Sequence, residues 1–567
     1  MADPRVVLLG LDGATFTVID SLVARGRLPH LAAVMREGVR ATLESTVPPH
    51  SAAAWPSLVT GKNPGRHGLF DFYRRRPGSY RLELINGGCV PGPKLWDFVS
   101  AAGKRVCVYN VPITYPPEPL NGIMLSGMDT PSQASEFAYP PSFKPELLAR
   151  FPHYSIEIDE LESALRRGTR EPERDLGEHR REMILAQLEQ QLAAIDFLLA
   201  REAWDLFFGV IVASDRAQHL FWSDFEALQR PGNALTSRTS ALLAAYEKTD
   251  AAIGEWRARY PGRHWIILSD HGFGRLEKEF YLDQFLADLG LLRLRSPAAR
   301  AWRLGRSAIR KIHRVGRPLK GLAQHGLRRW RQGRAVAALP SWVLDDPERA
   351  VDWGRSRAYA IGDTGAIFIN LEGREPQGIV KRGGEYEAVR DEIINALRQL
   401  RDPEDGLPVV DAVYRREELH AGEWLSVLPD LYVRLRNDAY RVAVDLSAKK
   451  GRLFGLPQER KPILYDTGTH HREGILLAAG PSFEPGQKLP RAHLLDLTPT
   501  VLYALGLPVE EGLDGQVLLS AFSPAYVEAH PVQRGGRTRA GVRAPSGYSH
   551  EEEQQVSERL RQLGYLD

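Results

Sequence analysis

Five short apolar runs constrain this chain more than any other feature: RVVLLGL (5–11), KRVCVYNV (104–111), WDLFFGVIVAS (204–214), HWIILSD (264–270) and EGILLAAG (473–480). Each is continuous rather than alternating, rich in Val, Ile, Leu and Phe, and too brief for a buried helix, which is the pattern of a strand covered on both faces. Amphipathic stretches with helical spacing separate them, so the expected fold is α/β, a mostly parallel sheet between helical layers. Three of the runs lead into residues able to do chemistry: Asp12, Asp215 and the pair Asp270–His271. Ligand sites in such sheets form at the C-terminal ends of the strands. One Asp in that place is more commonly a helix N-cap; three in one chain point to a site.

The spacing around these residues suggests metal ligation. Asp215 and His219, in SDRAQHLFW, are four apart and share one face if a helix starts just after the strand. Asp270 and His271 are adjacent, and at a strand-to-loop junction they can diverge toward two centres about 4 Å apart, as in two-metal sites. Late in the chain GTHHREGI offers either His470 or His471. Three carboxylates and three imidazoles, with no thiolate, suit Zn²⁺, Mn²⁺ or Fe better than Mg²⁺ or Ca²⁺. A separate stretch, SAAAWPSLVTGKNPGRHG (51–68), places Ser51 at the mouth of a short helix of small residues. Alone that serine reads as a plain N-cap; beside bound cations its hydroxyl becomes a candidate nucleophile.

Composition excludes some classes. With 43% hydrophobic and 26% charged residues among 567, the chain is neither disordered nor fibrous. Cys89 and Cys107 are too few for a disulfide framework, and the apolar N-terminal run meets Asp12 long before it reaches the length of a membrane span. The expected location is therefore the cytoplasm. The net charge of +3 hides an imbalance, because fourteen Lys or Arg and no acidic residue lie between Asp288 and Asp345. The stretch 291–340 is expected to be a basic helical insertion, either a solvated lid or a contact for an anionic membrane surface. Near the end a linker precedes a short helix in which Ser549 and Glu552 form a capping box.

Taken together, GLDG (10–13), the Ser51 stretch, DRAQH (215–219), SDHG (269–272) and GTHHREGI (468–475) resemble, in order, the motifs of the alkaline phosphatase superfamily, most of all its type I phosphodiesterase and nucleotide pyrophosphatase branch. The resemblance implies a three-layer sandwich over 1–525 with cap-like insertions at about 71–175 and 285–350, followed by a linker and helix at 526–567. It implies Ser51 as nucleophile, one cation on Asp215, His219 and the late histidine, and a second on Asp12, Asp270, His271 and the serine oxygen. The Glu-Gly that follows the motif histidine in the family fits His470 better than His471. The implied activity is hydrolysis of a small phosphoester, a diester first, through a phosphoseryl intermediate at two divalent metal ions, Zn before Mn or Fe. A monoesterase or phosphomutase-like transferase with the same centre stays open, as does a catalytically silent protein that holds anionic lipid or nucleic acid; nucleic acid is not the expected partner of an enzyme of this kind.

Two departures matter. Phe72 stands where nucleotide pyrophosphatases carry an asparagine that donates to the phosphate, which weakens any transfer of nucleotide specificity. Ser51 is followed by AAAW, not by the Pro-x-Arg string of sulfatases, so sulfatase chemistry is not expected. NVPITYPP (110–117), SGMDTP (126–131) and VDWGRSRAYAIG (351–362) are expected in loop and cap packing, with Arg355, Arg357 and Tyr359 as candidates to reach an anionic substrate.

Overall fold

The computed structural model describes residues 5–563 apart from 77, 159–175, 231–236, 296–350, 444–450, 461–464 and 536–546. The strand Val6–Leu11 (β1) shows why the apolar runs are continuous: Val7, Leu9 and Leu11 enter one hydrophobic core while Val6 and Leu8 enter another on the opposite face. The other strands of its sheet are Val39–Glu44 (β2), Val106–Val111 (β3), Gly122–Ser126 (β4), Ala138–Tyr139 (β5), Leu206–Ile211 (β6), His264–Leu268 (β7), Glu473–Ala479 (β8), Gln487–Lys488 (β9) and Ala492–His493 (β10). Their spatial order is β9-β2-β8-β7-β1-β6-β3-β4-β5, with β10 beside β2. From β7 to β4 every pairing is parallel, whereas β8 runs antiparallel to both β7 and β2. The sheet is thus mostly parallel, as expected; EGILLAAG breaks the rule within it, and the two-residue edge strand β5 pairs antiparallel with β4.

Helices cover both faces. Those at Phe16–Ala24, Pro29–Glu37, Leu176–Arg201, Ala213–Leu228 and Ser237–Arg259 bury their apolar residues in one core, and Ser51–Thr60, Leu95–Ala101 and Leu497–Ala504 bury theirs in the other. The helix Leu176–Arg201 is, over Gly177–Arg201, long and apolar enough to cross a membrane by length and composition, yet half of its most apolar 18-residue window is buried inside the fold. All ten residues of Ser51–Thr60 are buried. Its Trp55 lies directly over Gly10 of β1, where a Cβ would collide with the indole. The small side chains of SAAAW and the bare backbone at Gly10 let this helix lie close against the sheet.

Residues 71–175 do not form a cap as a unit. Val106–Val111, Gly122–Ser126 and Ala138–Tyr139 are strands of the central sheet itself, as the apolar run KRVCVYNV requires once its flanking loops are discounted. Residues 159–175 lie outside the described residues, and so does the basic stretch 291–340 from 296 onward. Beyond it, a separate antiparallel sheet of order Ala358–Ile361, Ala366–Ile369, Leu431–Leu435, Val410–Arg415 packs with the helix Gly384–Gln399 around its own core, which Phe280, Leu282 and Phe285 also enter. This cap subdomain is tied to the sandwich by the hairpin Tyr73–Arg75/Leu82–Leu84: Tyr80 stacks on Trp353 at 3.6 Å, and buried Arg75 pairs with Glu375 at 2.5 Å.

The sandwich also runs past residue 525, since the helix Pro524–Ala529 packs Tyr526 and Val527 on its core and Tyr503 donates to the His530 carbonyl at 2.7 Å. The last helix, His550–Leu563, carries the expected capping box: Ser549 N–H donates to Glu552 at 2.8 Å and Glu552 N–H to the Ser549 hydroxyl at 3.3 Å. It docks through Val556, Leu560 and Leu563, and its buried Arg559 donates to the carbonyls of Met128, Thr130 and Pro131.

A Cβ at Gly10 would press into the Trp55 indole of the Ser51 helix. Gly10→Ala is expected to destabilise the protein by about 1–3 kcal/mol, the usual cost of overpacking a filled core. Urea unfolding monitored by Trp fluorescence checks this; an unchanged midpoint would mean that the helix can shift freely.

Candidate active site

The site lies where β1, β6 and β7 end. After β1 the chain turns at Asp12-Gly13; Gly13 has φ +65°, and a Cβ there would press on Phe273 at 3.0 Å and Asp215 at 3.3 Å. Asp12 does not cap the following helix, a role taken by Thr15, so its wholly buried carboxylate faces the site. Neither of its oxygens has a hydrogen-bond partner among the described residues. Asp215 falls in the first turn of Ala213–Leu228, and its Oδ1 lies 3.5 Å from Nε2 of His219, one turn on, as four-residue spacing requires. Asp270 follows β7; its Oδ1 accepts from Gly13 N–H at 3.3 Å and its Oδ2 from the Ser51 hydroxyl at 2.8 Å.

Ser51 is the first residue of its helix rather than the cap, which is His50 in extended conformation. Its Oγ is therefore turned toward Asp270 and lies 3.3 Å from Nε2 of His271. His470 arrives from a separate two-stranded ladder, Gly272–Arg275 against Gly468–His471, whose register pairs Phe273 with His470. Adjacent strand residues point to opposite faces. His470 stacks on His271 at 3.7 Å between ring centres, while His471 turns toward Gly274. Of the two late histidines, the structure brings His470 to the cluster.

Two overlapping groups of ligand-type atoms result: Asp12, Asp270 and His271, and Asp215, His271 and His470, each within 4.8 Å. His219 joins the second, its Nε2 3.0 Å from that of His470. Nδ1 of His271 is 3.0 Å from the Gly272 carbonyl and Nδ1 of His470 is 3.2 Å from the Pro49 carbonyl. A carbonyl only accepts, so in the neutral rings both Nδ1 atoms carry the hydrogen and both Nε2 atoms present lone pairs to the cluster. Buried carboxylates, one without a donor, and imidazole lone pairs aimed at one another form a donor set that fits divalent cations.

The electrostatics agree. Burial, and then Asp270 and Asp215, push the Asp12 carboxyl well above its usual range. Burial pushes Asp270 up to about 7, against the hydrogen bond from Ser51. For Asp215 burial acts upward too, but His219, His470 and Arg216 outweigh it and hold it low. Burial and the neighbouring His271 keep His470 well below the usual imidazole range.

A cleft runs from His50, His219 and His470 to the cap, which contributes Asp363, Arg434 and Arg441 to its walls. Arg355, Arg357 and Tyr359 do not line it: Arg355 is exposed, Arg357 pairs with Glu392 at 3.1 Å, and Tyr359 is buried in the cap core. Phe72 is buried edge-on to His50 at 5.1 Å, so that wall is aromatic. Sequence reasoning missed Arg216 and Glu157. Arg216 is buried and donates to Asp215 at 2.6 Å and to Glu157 at 3.0 Å; its one signal was a charged residue next to Asp215 at the end of an apolar run.

A family model described as type I phosphodiesterase / nucleotide pyrophosphatase matches residues 6–457. The chain is similar in fold to phosphonoacetate hydrolase from Sinorhizobium meliloti 1021, solved with phosphonoformate, at 15% identity over 89% of this chain and 95% of that one, with a TM-score of 0.51. It is similar as well to murine ectonucleotide pyrophosphatase/phosphodiesterase 5, an inactive form solved with AMP, at 13% identity over 92% and 100% of the two chains, with a TM-score of 0.50. No curated protein matches the sequence.

The buried carboxylates set a pH dependence. Asp12 and Asp270 bind protons more tightly folded than unfolded, so between the ordinary value of 3.8 and about 7 the unfolded state releases protons that the folded state keeps. Metal-free protein is expected to lose stability as pH rises through that window, and saturating Zn²⁺ to remove most of the loss. Thermal melts from pH 5 to 8, with chelator or with metal, check it; a chelated protein that gains stability over this range would contradict it.

Proposed function

The chain belongs to the type I phosphodiesterase / nucleotide pyrophosphatase family of phosphoester hydrolases, and from that premise we propose that it cleaves a small phosphodiester through a phosphoseryl intermediate on Ser51. The observation that carries the reading is the convergence of six buried or nearly buried ligand side chains, from three strand ends and a separate ladder, beside one serine hydroxyl. Asp12, Asp270, His271 and the Ser51 oxygen would hold one divalent cation and Asp215, His219 and His470 the other, Zn²⁺ before Mn²⁺ or Fe; the pair supplies the positive charge that favours the serine alkoxide and the transition state.

The chain's own groups account for the rest. The Ser51 hydroxyl proton rests on the hydrogen bond to Asp270 Oδ2, which orients Oγ. As Oγ gives up that proton and attacks phosphorus in line, the bond from phosphorus to the substrate's alcohol oxygen breaks; that oxygen leaves with the electron pair and takes up the proton, giving the serine ester and the free alcohol. The N-terminus of the ten-residue helix that begins at Ser51 adds partial positive charge and N–H donors toward the phosphoryl oxygens. Water then attacks phosphorus from the side the alcohol left, and Oγ departs and regains its proton. Among the described residues it is Phe72, and not an asparagine amide, that stands beside His50 at that wall, and the leaving alcohol extends toward the cap cleft. The localisation favoured by the two lone cysteines is the cytoplasm.

Ser51→Ala is expected to lower turnover of bis-p-nitrophenyl phosphate by several orders of magnitude while metal content stays near that of the wild type. Activity kept by the variant removes Ser51 from this role, and p-nitrophenyl phosphate turned over faster than the diester moves the reading to a monoesterase.

A further inference from the structure

Arg216 is out of place beside a cation site. Its side chain is 3% exposed, and a guanidinium stays charged at any pH the fold survives. At that depth it would repel a cation held by Asp215. Two contacts answer the difficulty. Nη1 donates to Asp215 Oδ2 at 2.6 Å, which leaves Oδ1 facing His470 at 3.3 Å and His219 at 3.5 Å. Nη2 donates at 3.0 Å to Oε1 of Glu157, fully buried and 59 residues upstream. Glu157 is held in turn by its other oxygen, which accepts from Gln187 Nε2 at 3.2 Å and from the Ile158 N–H at 3.3 Å.

We infer that Arg216 and Glu157 are positioning residues for the cation on Asp215: Arg216 clamps one carboxylate oxygen, and Glu157 is the counter-charge that lets it do so without repelling the metal. The inference rests on the two-cation reading above. A buried ion pair adds little stability over apolar residues of the same size. Here it has a further effect, because the Glu157 carboxylate 3.0 Å from Nη2 offsets the guanidinium charge, so that the clamp on Asp215 Oδ2 adds little repulsion to a cation at Oδ1. Removing Glu157 alone leaves a buried positive charge against the site; removing both charges restores the balance.

The test is equilibrium binding of Zn²⁺ and Co²⁺ to the full chain, with the Co²⁺ absorption spectrum as a probe of ligand geometry. The wild type is expected to bind two equivalents. Glu157→Gln is expected to weaken one of them about 10- to 100-fold, the usual effect of losing an outer-shell partner, and to alter the Co²⁺ spectrum. Glu157→Gln with Arg216→Gln, whose amide keeps a donor for Asp215, is expected to recover most of that loss. Wild-type binding by Glu157→Gln, or a double variant no tighter than the single, overturns the inference. If the single variant does not fold, the double decides: two equivalents bound support the counter-charge role, and one equivalent overturns it. A wild-type chain that binds no metal sinks the two-cation reading and the inference together, a result distinct from all of these.

Discussion

Three carboxylates with no solvent exposure, Asp12, Asp215 and Asp270, share one small volume, and the rest of the molecule is organised around that fact. Two unit charges 4 Å apart repel by about 4 kcal/mol even at an effective dielectric of 20. A fold that gathers three has to keep protons on some of them or bring positive charge among them. Asp12 and Asp270 follow the first course in the metal-free chain, Asp215 the second through His219, His470 and Arg216, and burial lowers the proton affinity of His219 and His470, which offer lone pairs. Such a site is costly to leave empty and is shaped to take cations.

The parallel sheet is what makes the gathering possible. In register, Leu11 of β1 lies beside Ile211 of β6, and Gly10 beside Leu268 of β7, so the three central strands end nearly level. Neighbouring strands are about 4.8 Å apart, close to the separation of two metals bridged by shared ligands. Residues that follow level strand ends therefore fall at metal–metal distances without strain. The close seat of Ser51–Thr60 over Gly10 then brings a helix N-terminus and its serine to the same edge.

Around this centre the cap adds a wall rather than ligands. Its core closes on itself, with Tyr359 buried inside, and the charged residues it brings to the cleft are of both signs, Asp363 and Asp438 with Arg434 and Arg441, each arginine already engaged by a carboxylate: Arg434 by Asp438 at 2.9 Å and Arg441 by Asp466 at 2.7 Å. Paired guanidiniums keep orientation but have less charge to spare for a ligand. The cleft is thus polar and nearly balanced.

The strands, the α/β class and the three acidic strand ends were legible because they depend on local composition: a doubly buried strand must be apolar throughout, and a polar residue just past its end has few reasons to be there. The i,i+4 spacing of Asp215 and His219 was legible for the same kind of reason, since helix geometry is fixed by the backbone. The cap sheet was not, because its short strands look like loops until they pair, and neither was the central-sheet place of the two strands within 122–139, in a stretch that reads as insertion. By itself the sequence determined which groups were available to a site. Only the tertiary structure decided which of them meet: whether His470 or His471 faces His271 turns on a one-residue register of a ladder whose strands are almost two hundred residues apart, and Glu157 reaches Arg216 only through the fold. Register and long-range ion pairing depend on how distant segments pack, and no local pattern encodes that.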